Sequence, residues 1–257
     1  MADLWQSIST QVSAYMDGLW QTFSSQFNTA FIVENRWRYM LEGLGNTLIL
    51  TFFSLILGVV LGVVIAAVRS TWDRVSPTMS RGSAKTVFSF FNWICKLYLT
   101  IIRGTPVMVQ IMLIFYVILI SSTNKMLCAV IAFGINSGAY VAEIIRGGIM
   151  SIDIGQTEAG RSLGFNYVQT MRFIVLPQVF KNILPSLANE FIVLLKETAI
   201  AGYVGVTDLA RGGAIIRGIT YQGLFPLVSV ALIYLLMVLF FSWLVGKLER
   251  RLRASER

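Results

Sequence analysis

The apolar positions of this chain fall into two patterns, long unbroken runs and one periodic stripe. Four runs carry no charge: Gly43–Val68 for 26 residues, Gly104–Asn124 for 21, Met126–Ala142 for 17 and Gly218–Gly246 for 29. A helix needs about 20 apolar residues to cross the hydrocarbon core of a bilayer. The first and last runs are ample and the second is adequate. The third reaches a spanning length only if it continues to about Arg146, with Glu143 facing protein or water. A fifth candidate, Ile183–Val206, contains Glu190, Lys196 and Glu197 and is poorly ranked by hydropathy. The pattern therefore predicts an all-α polytopic bundle of five transmembrane helices, at about 43–69, 100–121, 126–147, 183–206 and 222–246.

The stripe lies in the first 40 residues. Leu4, Trp5, Ile8, Val12, Tyr15, Met16, Leu19, Trp20, Phe23, Phe27 and Phe31 recur at the i+3/i+4 spacing of one helix face. No Lys or Arg precedes Arg36, so the basic start of a secretory signal is missing. The stretch is too polar to span. It is expected to be an extracytoplasmic amphipathic segment over 1–40, lying at the outer interface or docking a partner. Asp3 and Asp17, with no cation nearby, argue against an anionic leaflet. The remainder divides into a transmembrane domain over 41–250 and a cytoplasmic tail over 251–257.

Composition agrees with a membrane protein and narrows its chemistry. Apolar residues make up 56% of the chain and charged ones 13%, against about 25% charged in soluble domains. A soluble enzyme, a disordered chain and a collagen-like fibre are excluded. The net charge of +8 would suggest nucleic acid in a soluble protein; here it sets orientation. With five spans and the N-terminus outside, 15 cations fall inside and 5 outside, with Lys196 within a span. Cytoplasmic loops are enriched in Lys and Arg, so the N-terminus is expected outside and the C-terminus in the cytoplasm. There is no histidine and there are two cysteines, Cys95 and Cys128. A Cys/His zinc site, a Ser-His-Asp triad and a histidine proton relay are therefore out of reach. No metal site and no catalytic residue is expected.

Residues 144–182 are too long and too polar for a simple hairpin. Gly164 suits the left-handed residue that ends a helix. Asn166 suits an N-cap, with Gln169 placed to complete a capping box. Pro177 is expected to stop the second helix. A rigid helix–turn–helix on the cytoplasmic side of a membrane bundle is suited to docking a soluble partner.

These residues resemble a known family. Glu158-Ala159-Gly160, then Gly164, then Ile174-x-Leu176-Pro177 is similar to the EAA loop of bacterial ABC-importer permeases. Gly160 stands where the family usually has Ala, and is expected to loosen the first short helix slightly. Arg103-Gly104-Thr105-Pro106, Ala139-Tyr140-Val141-Ala142-Glu143 with Arg146-Gly147-Gly148, Leu176-Pro177-Gln178, Asn189-Glu190-Phe191 and Leu195-Lys196-Glu197-Thr198 resemble the polar-amino-acid permeases. The resemblance covers roughly 40–250 and implies a type I ABC-importer permease fold in a bacterial cytoplasmic membrane. It implies a coupling loop over 153–180, in which Glu158, Ala159, Gly160, Leu163, Gly164, Ile174, Leu176 and Pro177 meet an ATPase. The implied partners are two ABC ATPase subunits, a second permease (a second copy or a paralogue) and an extracytoplasmic amino-acid-binding protein. No cofactor is expected on this chain. ATP and Mg would sit on the ATPase, and nucleic acid is no partner. Gly82-Ser83-Ala84-Lys85-Thr86 lacks a glycine directly before the lysine and follows no strand. It reads as a solvated basic cytoplasmic loop.

Charges at membrane depth are functional candidates, because leaving them unpaired is costly. Arg103, Thr105, Glu143, Asn189, Glu190, Lys196, Glu197 and Thr198 are the candidate substrate path. Two readings stand side by side. Glu190 and Glu197 share a helix face, which together with Lys196 could meet the charged groups of an amino acid. The same groups could hold the bundle or a subunit interface through ion pairs. Glu143 and Arg146 make a ready i,i+3 pair, and Arg103 suits snorkelling to inner headgroups. Gly58, Gly62 and Gly104 suggest close helix packing. A passive channel or a structural scaffold subunit would share the hydropathy but leaves the paired short helices unexplained. A lipid-modifying enzyme would need a DxxD or HxxxD cluster, and the sequence has none.

Overall fold

The structure, a computed structural model, describes residues 2–254. Among the described residues it is helical with no strand. The helices are α1 (Ala2–Phe27), α2 (Trp37–Val75), α3 (Ser83–Gly104), α4 (Val107–Leu113), α5 (Lys125–Met150), α6 (Ile154–Ser162), α7 (Tyr167–Thr170), α8 (Leu176–Glu197), α9 (Leu209–Thr220) and α10 (Leu224–Ala254). Wider π turns extend α4 over Ile114–Ile118 and join α7 to α8 over Met171–Val175. Two compact units result, 1–46 with 207–235 and 47–206 with 236–257. The expected boundaries at 40/41 and 250/251 both fall inside helices, α2 and α10.

In the first unit α1 ends at a break instead of running through residue 40. Glu34 and Asn35 both adopt φ 54°, and buried Arg36 clamps the turn. Its Nη1 donates to the Thr29 carbonyl at 2.7 Å and its Nη2 to Glu34 Oε2 at 3.0 Å. Phe23 packs edge-on against Phe225, ring centroids 4.9 Å apart. Val12, Tyr15, Met16, Leu19 and Trp20 stay exposed, while Phe31 is buried. The side chains of Leu4 and Ile8 lie outside the described residues. Asp208 caps α9, accepting from Ala210 N and Arg211 N at 3.2 and 3.1 Å. Burial pushes its carboxyl up to about 6, against the opposing pull of those amide donors.

The second unit is built around α5. α2 presents to it a stripe of small residues, Thr47, Thr51, Ser54, Gly58, Gly62, Ala66 and Ser70, all buried. Small side chains let membrane helices approach closely. At Gly62 a Cβ would come within 2.5 Å of Val141 Cγ1. Gly104 has no such neighbour and serves no packing role of the kind expected. One apolar core gathers Leu50, Ile111, Ala129, Phe133 and Leu194, and a second gathers Ala66, Val141, Ile145, Ile149, Val175, Val179 and Ile183.

Three expectations change. The span expected at 100–121 is two helices, Ser83–Gly104 and Val107–Ile118, meeting at 110°. Thr105 and Pro106 are both extended, as a residue before proline and a proline without a donor favour. The aromatic stretch Phe88–Tyr98 and the residues Ser83–Thr86, with the basic Lys85, belong to α3, so the loop expected at 82–86 is mostly a helix start. Pro177 does not end a helix. Leu176 N donates to the Met171 carbonyl, five residues back, and the missing Pro177 donor falls where the helical register widens. Helical structure thus runs from Tyr167 to Glu197. Among the described residues three helices are long and apolar enough to cross a membrane, or four if the bent pair counts as one span. The fifth expected span, 183–206, corresponds to α8 with the 3-10 turn Thr198–Val204. It does not meet the same standard.

Candidate functional site

The hairpin of α6 and α7 is specified by local chemistry. Asp153 Oδ1 accepts from Gly155 N at 2.6 Å and starts α6. Gly164, at φ 82°, ends it. Phe165 N reaches the Gly160 carbonyl at 3.0 Å and Gly164 N the Arg161 carbonyl at 2.9 Å, the paired closure of a Schellman turn. Asn166 and Gln169 form the expected capping box, each side chain bonding the other's backbone N–H at 2.9 Å.

Gly160 has a use the sequence did not reveal. It is buried, and a Cβ there would meet Thr170 Cγ2 at 2.8 Å, Thr170 Oγ1 at 2.9 Å and Ile174 Cδ1 at 3.0 Å. Its missing side chain lets α6 press onto the following helix. Of the expected coupling residues, Gly160 and Ile174 form this inner seam. Glu158, Ala159, Leu163, Gly164 and Pro177 are exposed, and Leu176 is half-buried. Leu163 (73% exposed) and Val168 (69%) give the outer face an apolar character. The root is fixed to the bundle by Val175 and Val179, which pack with Ala66, Ile145, Ile149 and Ile183. Arg74 Nη2 adds a 3.0 Å bond to the Ile149 carbonyl.

The candidate path residues separate into groups. Glu143 lies between two guanidinium groups, 3.1 Å from Arg146 Nη2 and 3.9 Å from Arg103 Nη1. Arg146 also reaches Asp73 Oδ2 at 3.7 Å. Glu190 Oε1 accepts from Ser137 Oγ of α5 at 2.8 Å. Thr105 joins a knot around buried Gln110, whose Nε2 donates to the Ile102 carbonyl (2.7 Å), the Thr105 carbonyl (3.0 Å) and Thr105 Oγ1 (2.7 Å). Gln110 Oε1 in turn accepts from Asn136 Nδ2 at 2.9 Å. The side chain thereby satisfies carbonyls freed by the break, as non-helical backbone at membrane depth requires. Thr198 is buried and bonds the Leu195 carbonyl at 2.8 Å. Asn189 and Lys196 do not join these groups. With Asn182, Ser186 and Val193 they form one exposed face of α8, and Glu197 sits half-buried beside it.

Asp73, Gln110, Asn136 and Ser137 were absent from the sequence expectations. Hydropathy tolerates a single amide in an apolar run. The available signal was physical: a buried polar group needs a partner, and Gln110 and Asn136 are amides inside charge-free, mostly apolar runs.

A two-helix hairpin rooted in a bundle that is helical among the described residues, with helices apolar and long enough to cross a membrane, fits the membrane subunit of a transporter. Comparison with known proteins agrees. Residues 78–254 match the family described as binding-protein-dependent transport system inner membrane component, and the chain belongs to that family. It is 36% identical over 221 residues to the arginine transport system permease protein ArtQ of Bacillus subtilis (strain 168), covering 85% of this chain and 94% of that one. It is 36% identical over 166 residues to the glutamine transport system permease protein GlnP of Escherichia coli (strain K12), covering 63% and 76%. A crystal structure of an amino acid ABC transporter with histidines superposes with TM-score 0.74 at 40% identity, over 86% of this chain and 98% of that one. The methionine ABC transporter MetNI, in inward-facing form, matches with TM-score 0.69 at 19% identity, over 83% and 95%, and shares the fold. The family sets aside the passive-channel and scaffold readings. This chain is a membrane permease subunit.

Proposed function

We propose that the chain moves an amino acid across the cytoplasmic membrane as one of two permease subunits, driven by two separate ATPase subunits that bind ATP and Mg and grip the α6–α7 hairpin. The observation that carries this is the hairpin's two-sidedness. Its outer face offers Leu163, Val168 and the Glu158-Ala159 edge, while its inner face is locked through Gly160, Val175 and Val179 to α2, α5 and α8. Closure of a soluble ATPase pair reaches the membrane only through such a rigid protrusion. The arginine and glutamine permeases among its relatives support an amino acid as cargo, delivered by an extracytoplasmic binding protein.

The exposed face Asn182, Ser186, Asn189, Lys196 is too polar to meet lipid at low cost. We place it, with Glu190 and Glu197 at its flank, along the path or against the second permease. For Arg103 and Glu143 the structural role is favoured, because Glu143 is already held between Arg103 and Arg146. The orientation has five spans, N-terminus outside and C-terminus inside. The test is Gly164→Val in the transporter reconstituted with its ATPase and binding protein. A β-branched residue at φ 82° costs about 1–2 kcal/mol. The ATPase should co-purify poorly and amino-acid-stimulated ATP turnover should fall, with membrane insertion unchanged. Wild-type values for both would remove the coupling assignment.

A further inference from the structure

Where α2 ends and α3 begins, a cleft of about 700 Å³ opens at one end of the helix pair. Its lining combines Arg81, Lys85 and Thr86 with the rings of Trp72, Phe90 and Trp93. No carboxylate lines it. The nearest acid in sequence, Asp73, is within ion-pair distance of Arg146. The walls are set by specific contacts. Lys85 Nζ donates to the Ser76 and Met79 carbonyls at 2.9 and 3.2 Å, which holds the ammonium at the mouth of the turn. Trp72 packs edge-on against Phe88 with centroids 5.3 Å apart, and Phe90 stacks with Trp93 at 6.3 Å.

Phe90, which lines the cleft, also begins an apolar track along α3. From Phe90, the exposed residues Ile94, Leu97 and Ile101 follow at i+4, i+7 and i+11 down one face of α3. A soluble anion would use the cations and leave this track unoccupied. A molecule with a phosphate at one end and a long hydrocarbon at the other would use both. Trp and Tyr rings favour the level of lipid headgroups, and a Lys or Arg near a membrane surface attracts anionic lipid.

We propose that this cleft is a binding site for the phosphate headgroup of an anionic glycerophospholipid, with one acyl chain lying along Phe90, Ile94, Leu97 and Ile101. The site is separate from the coupling hairpin and from the polar face of α8. Its function there is to fix the α2–α3 turn to the membrane surface.

The test is native mass spectrometry of the delipidated full-length chain in detergent, offered phosphatidylglycerol and phosphatidylcholine at equal concentration. Phosphatidylglycerol should be retained preferentially. Arg81→Gln should cut its occupancy about fivefold, the effect of one basic side chain at a membrane surface. Arg81 is the first variant because Lys85 also braces the turn; Ile94→Asn tests the acyl track and should weaken retention without removing a charge. Melting temperature, read beside each, separates lost binding from lost fold; Arg81→Lys, which keeps the charge, should keep binding, and Leu97→Asn takes the place of Ile94→Asn if that variant melts early. Glycerol phosphate and inorganic phosphate should not displace the lipid. Equal retention of the two lipids, undiminished phosphatidylglycerol binding by Arg81→Gln, or displacement by either soluble phosphate at comparable concentration would overturn the proposal, the last by making this a soluble-anion site.

Discussion

Gly160→Ala restores the residue more usual at the third position of the EAA motif, and a helix-propensity argument expects it to help. Replacing Gly by Ala in a helix interior gains about 1 kcal/mol. The packing at this position opposes it. The added methyl would stand 2.8 Å from Thr170 Cγ2 and 2.9 Å from Thr170 Oγ1. Thr170 is β-branched and stiff at χ1 in a helix, so it cannot swing away cheaply. Overpacking of this kind costs about 1–3 kcal/mol. The net effect is a loss of about 0–2 kcal/mol, or a melting temperature lower by up to about 8 °C at 2–4 °C per kcal/mol. A compensating change is available. Thr170 Oγ1 is buried with no hydrogen-bond partner, so Thr170→Ala removes both clashing atoms and breaks no hydrogen bond. Gly160→Ala should lower the melting temperature and ATPase co-purification, and Gly160→Ala with Thr170→Ala should recover both. If Gly160→Ala alone melts at or above wild type with full ATPase stimulation, the seam between α6 and the following helix is not tightly packed, and the reasoning fails.

Three further outcomes follow from other parts of the molecule. Gln110→Leu leaves the carbonyls at Ile102 and Thr105 without their side-chain donor; at about 1–3 kcal/mol for such a loss, the detergent-solubilised protein should melt several degrees lower, and an unchanged melt would show that the corner does not need Gln110. Asp208 has a folded pKa raised to about 6 from 3.8, so between those values the native state binds more protons and stability should fall as pH rises; Asp208→Asn should flatten this dependence between pH 4 and pH 6.5 (roughly the window set by the two values), and a parallel profile would rule Asp208 out as its source. A cysteine at Ser13, with Cys95 and Cys128 replaced, should react with an impermeant thiol reagent from outside intact cells while one at Lys181 should not; the reverse pattern would invert the proposed topology.

The chain disclosed its helices unevenly. The long apolar runs and the capping chemistry of Gly164, Asn166 and Gln169 act locally, within a few residues, and were readable for that reason. The small-residue stripe on α2 was only half-read: Gly58 and Gly62 stood out, but Thr47, Thr51, Ser54, Ala66 and Ser70 complete it at the same spacing. Pro177 misled because proline's usual effect assumes a regular α-helical register, and a π turn absorbs it. Pro106 lies inside the run expected as one span, and nothing local showed that α3 would extend back to Ser83 or that the corner would reach 110°. The side chains that bond at that corner, Gln110 and through it Asn136, are distant in sequence and meet only in the folded bundle. Likewise, charge counting found Glu143 and Arg146, while Ser137 as the partner of Glu190 required the packing of α5 against α8.

The π turn at Met171–Val175 joins the hairpin to α8 without interrupting the helical path from Tyr167 to Glu197. One residue more than a regular helix would use is wound into that turn, and each residue of an α-helix advances the azimuth by about 100°. The turn therefore works as a phase shifter between two ends of one rod. It sets the compass direction of Asn182, Ser186, Asn189 and Lys196 relative to the docking knob. Excising a single residue there would leave every local contact type available and the rod unbroken, yet turn the polar stripe about a quarter-circle away from its present bearing. On the proposed reading of the knob and the stripe, one surplus residue between them sets the direction in which a push on the one would reach the other.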